Sequence, residues 1–257
     1  MVYNINMENT ITSTKNPIIK GIKKLQNSKE RIKSGRFVVE GEKCVSEALD
    51  IDGLCEKLLV LESEKDRYGE IISGFAGEII YISSAVLENI STVKTPQSII
   101  AVCIAEKLIL SKSEGLIIIL DGVSDPGNLG AIIRTADAVD AGEILLLNNC
   151  VDFLSPKVIR ASMGSVFHLQ IVKREIKDLR EYKKNGYRIF GADIRGKTDF
   201  DIAFEKICLV IGSEAHGISD EVSDLLDEKI RIPIYGKAES LNAAVAASVL
   251  MYKLKGL

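Results

Sequence analysis

The chain has 257 residues and a mass of 28.1 kDa, with 46% hydrophobic and 27% charged residues, enough for one large or two modest domains with real cores and too apolar for intrinsic disorder. A net charge of −3 and a pI near 5.6 leave no global nucleic-acid signature. The uncharged stretch 240–252 is shorter than the roughly 20 residues that cross a bilayer, and MVYNINMENT lacks a basic-then-apolar signal design, so a soluble, cytoplasmic chain with no membrane partner is expected.

Between Lys15 and Arg36, eight Lys or Arg stand against one acid, Glu30, and apolar residues recur at Ile18, Ile19, Ile22, Leu25 and Ile32 with roughly helical spacing over 16–34. Such a run either attracts a polyanion locally or is a solvated helix face. FVVEG (37–41) reads as a strand, EKCVSEALD (42–50) as a helix, and KLLVLE (57–62), EIIYI (78–82) and SIIAVCIA (98–105) as strands. EKLILSKSEG (106–115) reads as a linker, which divides the chain into a small αβ domain, 1–112, and a second domain, 113–257.

The second half alternates strand and helix. GLIIIL (115–120), EILLLN (143–148), FHLQIV (167–172), YRIFGAD (187–193), ICLVIG (207–212) and KIRIPI (229–234) read as strands. Helices are expected over 129–139, 156–163, 174–186, 219–226 and 241–255. Near-continuous Ile/Leu/Val strands joined by helical crossovers predict an α/β fold, a mainly parallel sheet with helices on both faces. Ligands in such sheets bind at the carboxyl ends of strands. The five cysteines are scattered, without Cys-x-x-Cys spacing, and read as small buried hydrophobes in a reducing compartment.

Three loops that follow strands carry the candidate chemistry. In DGVSDPGNLGAIIRTADA (121–138), Pro126 and Gly127 make a turn, Asn128 either caps the helix or faces a ligand, and Gly130 permits a close approach. Arg134, among small and apolar neighbours, either snorkels or is aimed at an anion. In IGSEAHG (211–217), Gly212 permits backbone approach, and Glu214 either caps a helix or accepts from a ligand hydroxyl or an arginine. His216 beside a glycine reads as merely exposed, and His168 in FHLQIV as structural. In IPIYGKAESLNAAVA (232–246), Ser240 is a candidate cap and Asn242 presents a two-way amide.

Taken in order, these three segments resemble motifs one to three of the SpoU/TrmH branch of the SPOUT superfamily, RNA ribose 2′-O-methyltransferases. Residues 11–49 are similar to the substrate-binding αβ domain that precedes the catalytic domain in many members. One departure is Asp140, where relatives commonly carry glycine. The resemblance implies a SPOUT α/β knot, with the C-terminal segment threaded into a deep trefoil against the usual rule that chains are unknotted. It implies S-adenosylmethionine as cofactor, held at Gly212, Ile232 and Leu241, an active site of Asn128, Arg134, Glu214, Ser240 and Asn242, no metal, and a homodimer whose subunits share each site.

Methylating a ribose hydroxyl needs an oxygen nucleophile aligned with an activated methyl group. A guanidinium stays protonated, so Arg134 is expected to clamp an RNA phosphate and steady the developing alkoxide, held by Glu214 and Asn128, while Ser240 and Asn242 line cofactor and ribose. Lys20, Lys23, Lys24, Lys29, Arg31 and Arg36 are expected to form a phosphate-binding face, with Lys157 and Arg160 as the alternative. Ribosomal RNA is the preferred substrate. The rivals are a transfer RNA 2′-O-methyltransferase and a catalytically inactive RNA-binding ribosome-assembly or resistance factor on the same fold. A Rossmann nucleotide enzyme is disfavoured by the lack of G-x-G-x-x-G after GLIIIL.

Overall fold

The computed structural model of the protein describes residues 10–108, 110 and 115–256. They divide into two compact units, one of residues 10–108 with 154–160 and one of residues 110 and 115–153 with 161–256. The expected boundary at 112 lies outside the described residues.

The first unit holds α1 (Pro17–Lys24), α2 (Ser28–Ser34), β1 (Arg36–Glu40), α3 (Glu42–Leu49), β2 (Cys55–Leu61), α4 (Gly69–Gly74), β3 (Glu78–Ile82), α5 (Ser84–Ile90) and β4 (Ile99–Ile104). Its sheet runs β1-β4-β2-β3, with β2 and β3 parallel and the β1–β4 and β2–β4 pairs antiparallel. The segment 16–34, read as having roughly helical spacing, forms two helices. Asn16 and Pro17 start α1, and the Asn27 side chain accepts from Lys29 N at 2.9 Å to start α2. Ile19, Ile22 and Leu25 pack with Leu59, Ile80 and Ile100, whereas Ile32 is 72% exposed and takes no part in that stripe. Cys55 and Cys103, far apart in sequence, face each other across β2 and β4, sulfurs 3.6 Å apart, and both are free thiols.

The second unit begins with β5 (Leu116–Asp121), α6 (Pro126–Ala138) and β6 (Glu143–Leu147). After α7 (Pro156–Ser162), whose residues up to Arg160 fall in the first unit, come β7 (Ile171–Lys173), α8 (Leu179–Lys184), β8 (Arg188–Lys197), β9 (Ile207–Gly212), α9 (Asp220–Ser223), β10 (Glu228–Ile230) and α10 (Ala243–Leu254). The sheet order is β10-β8-β9-β5-β6-β7, parallel at every described pair. Strand side chains alternate between faces. Ile117, Ile119, Leu145, Cys208 and Val210 pack with Leu179 and Tyr182 of α8 and Val222 of α9. α10 lies on β8 and β9 and against α6, where the Thr135 and Ser248 hydroxyls meet at 2.9 Å. The chain runs outward from β5 through β6 to β7 and then returns to set β9 on the other side of β5. The order therefore reverses between β5 and β9, which is where open α/β sheets form their ligand crevice.

Three expected elements differ. FHLQIV is not a continuous strand: Ser165–Phe167 is a 3-10 turn, β7 starts at Ile171, and His168 between them meets the Asp137 carboxylate at 2.9 Å. KIRIPI pairs only as far as Ile230, and Pro233 beyond it has no N–H to give a ladder. The helix expected over 174–186 starts as a 3-10 turn, Ile176–Asp178, capped reciprocally by Glu175 and Asp178. Asp140 has φ +52°, in the left-handed region, which explains why glycine suits that position.

Gly130 of α6 sits against Ala161 and Ser162. A Cβ there would lie 2.3 Å from Ala161 Cβ and 2.9 Å from the Ala161 carbonyl carbon. Gly130→Ala is expected to destabilise the fold by about 1–3 kcal/mol through overpacking, read as a lower melting temperature.

Candidate active site

β5 ends at Asp121, and the chain turns through Gly122, φ +74°, toward α6. Asp125, not Asn128, is the cap: its Oδ1 accepts from Asn128 N at 2.8 Å, and Pro126 fills the first helical position. The Asn128 side chain is therefore released for another role. Its Nδ2 donates to Glu214 Oε1 at 2.7 Å, and its Oδ1 accepts from Asn242 Nδ2 at 2.9 Å. Asn242 in turn caps α10, its Oδ1 accepting from Ala244 N at 2.9 Å and Val245 N at 3.3 Å, so the capping role considered for Ser240 belongs to Asn242. One hydrogen-bonded chain, Glu214–Asn128–Asn242, thus joins the loops that follow β5, β9 and β10.

Arg134 stands apart. Its side chain is exposed, and among the described residues it has no hydrogen bond or ion pair. Glu214 and Asn128 bond each other instead of holding it, contrary to expectation. Six residues along an α-helix turn through about 600°, so Arg134 points roughly 240° around the axis from Asn128.

Gly212 is required by the chain itself. A Cβ there would come within 2.1 Å of the Gly217 carbonyl carbon, because Ser213 and Gly217 close a tight turn with reciprocal backbone bonds of 3.0 and 2.9 Å. Glu214 and His216 are exposed on that turn. Ile232 is half-buried, Ser240 is exposed and Leu241 is 38% exposed. Among the described residues, 232–241 makes no backbone hydrogen bond.

Sequence reasoning missed two carboxylates. Asp125 hides among turn residues. Asp121 is 3% exposed and accepts from Ser219 N at 2.7 Å and from the Asn148 side-chain amide; its signal is an acid closing the apolar run LIIILD. Nearby, the Cys150 thiol donates to Leu120 O at 3.3 Å, and burial pushes its pKa up, away from a nucleophile's range.

In the first unit, Lys20, Lys23 and Lys24 are exposed at helical spacing on α1, and Lys29 is exposed on α2. Arg31 is not part of such a face. It is 5% exposed, and its Nη1 donates to the Leu25 and Gln26 carbonyls at 2.8 and 2.9 Å, because the break between the two helices leaves carbonyls needing a donor. Arg36 is already paired: its Nε and Nη2 bond Glu56 at 2.5 and 3.3 Å, and the pairing holds the Glu56 carboxyl below its usual range. Among the described residues no cluster of His, Cys, Asp or Glu could hold a metal ion, and no helix is long and apolar enough to cross a membrane.

Comparison with known proteins bears on the same segments. The profile of the SpoU rRNA Methylase family matches residues 115–252, and that of the MRM3-like substrate binding domain matches residues 16–101. The 23S rRNA (guanosine(2553)-2′-O)-methyltransferase RlmP of Bacillus subtilis is 34% identical over 251 residues, 96% of this chain and 99% of that protein. The crystal structure of an AdoMet-bound rRNA methyltransferase from Sinorhizobium meliloti superposes with a TM-score of 0.85 at 29% identity, covering 96% of this chain and 97% of that one. The SpoU methyltransferase AviRb from Streptomyces viridochromogenes, in complex with AdoMet, gives 0.83 at 27% identity, covering 94% and 97%. With its three motif loops drawn together at the β5–β9 reversal and a profile match over more than half its length, the chain belongs to the SpoU rRNA methylase family.

Proposed function

We propose that this protein transfers the methyl group of S-adenosylmethionine to a ribose 2′-hydroxyl of ribosomal RNA, acting as a cytoplasmic homodimer. The observation that carries the reading is the Glu214–Asn128–Asn242 chain, which gathers three motif loops at the carboxyl edge of the sheet. The names of the Bacillus and Sinorhizobium relatives support ribosomal RNA as the substrate class.

The residues present fit the cofactor. Residues 232–241 offer backbone donors and acceptors without backbone partners among the described residues, and begin and end on the apolar Ile232 and Leu241, which suits an adenine with a polar edge and an apolar face. Gly212, Ile232 and Leu241 would hold it, and when bound it supplies a methyl group activated by a sulfonium. Asn128 and Asn242 would orient the ribose, and Arg134 would bind the adjoining phosphate and steady the oxygen as its charge develops. Orientation of this kind can remove roughly 7–11 kcal/mol of barrier.

A trefoil knot formed by the segment leading into α10 belongs to this reading, supported by the order of the three motifs and the family match. The homodimer is supported by a stripe on α10, where Val245, Val249 and Tyr252 are 49%, 44% and 42% exposed at i, i+4, i+7 spacing. Transfer of a labelled methyl group to ribosomal RNA, followed by mapping of methylated riboses in strains with and without the gene, tests the activity. Label in transfer RNA alone, or in no RNA, would favour the rival readings.

Residues 1–112 would then position the RNA through Lys20, Lys23, Lys24 and Lys29, supported by the substrate-binding-domain match. The triple substitution Lys20→Ala/Lys23→Ala/Lys24→Ala is expected to lower the slope of log affinity against log salt by about 2–3, at roughly 0.7–0.9 per lost phosphate contact. Arg31→Met should leave the slope alone and lower the melting temperature. An unchanged slope in the triple variant would move the contact to another surface, with Lys157 and Arg160 next to be tested.

A further inference from the structure

We propose that Asp121 is a positioning residue for the methyl-transfer site, a buried carboxylate that fixes the Glu214 turn against the motif-one loop; this deepens the functional reading above and rests on it. Asp121 closes β5 at 3% exposure. Its Oδ2 accepts the Ser219 backbone N–H at 2.7 Å, and its Oδ1 accepts the Asn148 side-chain amide. Asn148 follows β6 directly and holds φ +51°, a left-handed conformation that asparagine tolerates better than most residues. Ser219 lies just past the 213–217 turn that carries Glu214. One carboxylate therefore ties together the ends of β5 and β6 and the segment after β9.

The two loops are joined at two levels. At the exposed rim Asn128 donates to Glu214, and at the buried base Asp121 receives Ser219. The base contact is charge-assisted and its acceptor is buried, so it sets the geometry that the rim contact samples. The chemistry of the partners explains why an acid stands there. Both are donors, the Ser219 N–H and the Asn148 amide, and only a carboxylate offers an acceptor to each. An asparagine would turn an N–H₂ toward one of them, setting donor against donor beside the buried Asp121 position.

The test is a polarity exchange. Asp121→Asn is expected to lower kcat at least about tenfold with RNA KM within about twofold, and to speed hydrogen exchange at the Ser219 amide. The double variant Asp121→Asn/Asn148→Asp reverses the side-chain bond: the new amide accepts Ser219 N–H and donates to the new carboxylate. It should recover most of kcat and the Ser219 protection. Wild-type kcat in Asp121→Asn, or a double variant that restores protection without restoring kcat, overturns the proposal. Asn148→Ala removes one arm more gently and covers the case in which Asp121→Asn does not fold. A fall in kcat of about threefold with faster Ser219 exchange supports the assignment, and no change in either overturns it. Absence of methyl transfer by the wild-type protein would count against the functional reading, whereas Ser219 exchange reports on the carboxylate independently of activity.

Discussion

Arg134→Lys is expected to cut kcat for methyl transfer at least about 100-fold while leaving the S-adenosylmethionine dissociation constant within about twofold. The side chain lies on the exposed side of α6 with no protein partner among the described residues, so the substitution disturbs no internal bond. What it removes is the fork. A guanidinium can hold a phosphate oxygen with one N–H while directing another at the oxygen that becomes an alkoxide. An ammonium keeps the charge and loses that fixed pair of directions. Loss of a single preorganised donor to a developing oxyanion costs about 10²–10³ in rate, which sets the expected magnitude. Cofactor affinity should hold because the groups proposed to bind it, at Gly212 and along 232–241, belong to other loops. Single-turnover methyl transfer and calorimetric titration of the cofactor separate the two quantities. Wild-type turnover in Arg134→Lys would remove Arg134 from the chemistry, and a loss confined to cofactor affinity would make it a binding residue only.

The parallel strands were legible because burial on both faces leaves long apolar runs: LIIILD and ICLVIG lie at the centre of the sheet and read as strands without any partner in view. FHLQIV, where His168 and Gln170 interrupt the apolar residues, also reads as a strand, yet Met163 and Gly164 both adopt positive φ just before it, and that turn delays β7 to Ile171. The loops that carry Asn128, Glu214 and Asn242 were legible as loops after strands. Which side chain does what was not, because capping depends on one or two positions: Asp125 took the cap from Asn128, and Asn242 took it from Ser240. Arg31 shows the same limit on the basic segment. Its neighbours in sequence are lysines in solvent, and only the break between α1 and α2 makes a buried arginine useful there. Asp121 escaped for a related reason, since a carboxylate at a strand end declares its partners only when the strand order brings β6 and the turn after β9 alongside β5.

Two inactive variants, Arg134→Ala and Asn128→Ala, are expected to restore about a quarter of wild-type sites when co-expressed in equal amounts, under the proposed two-fold homodimer. Arg134 points roughly 240° around the helix from Asn128, and Asn128 is bound to Glu214 and Asn242 of its own chain. If Arg134 instead completes the site of the partner subunit, a mixed dimer has one site with both defects and one with neither. Half of randomly assorted dimers are mixed, and half of their sites are intact. If Arg134 serves its own chain, every site in every dimer carries a defect and mixing restores nothing. The same arrangement makes the dimer indispensable, so Val249→Asp, which places a charge in the exposed α10 stripe, should yield a folded monomer that has lost methyl transfer. Sedimentation of that variant beside the mixed-dimer assay distinguishes a shared site from a dimer that merely holds two independent ones: a fully active monomer, or no recovery on mixing, rules the shared site out.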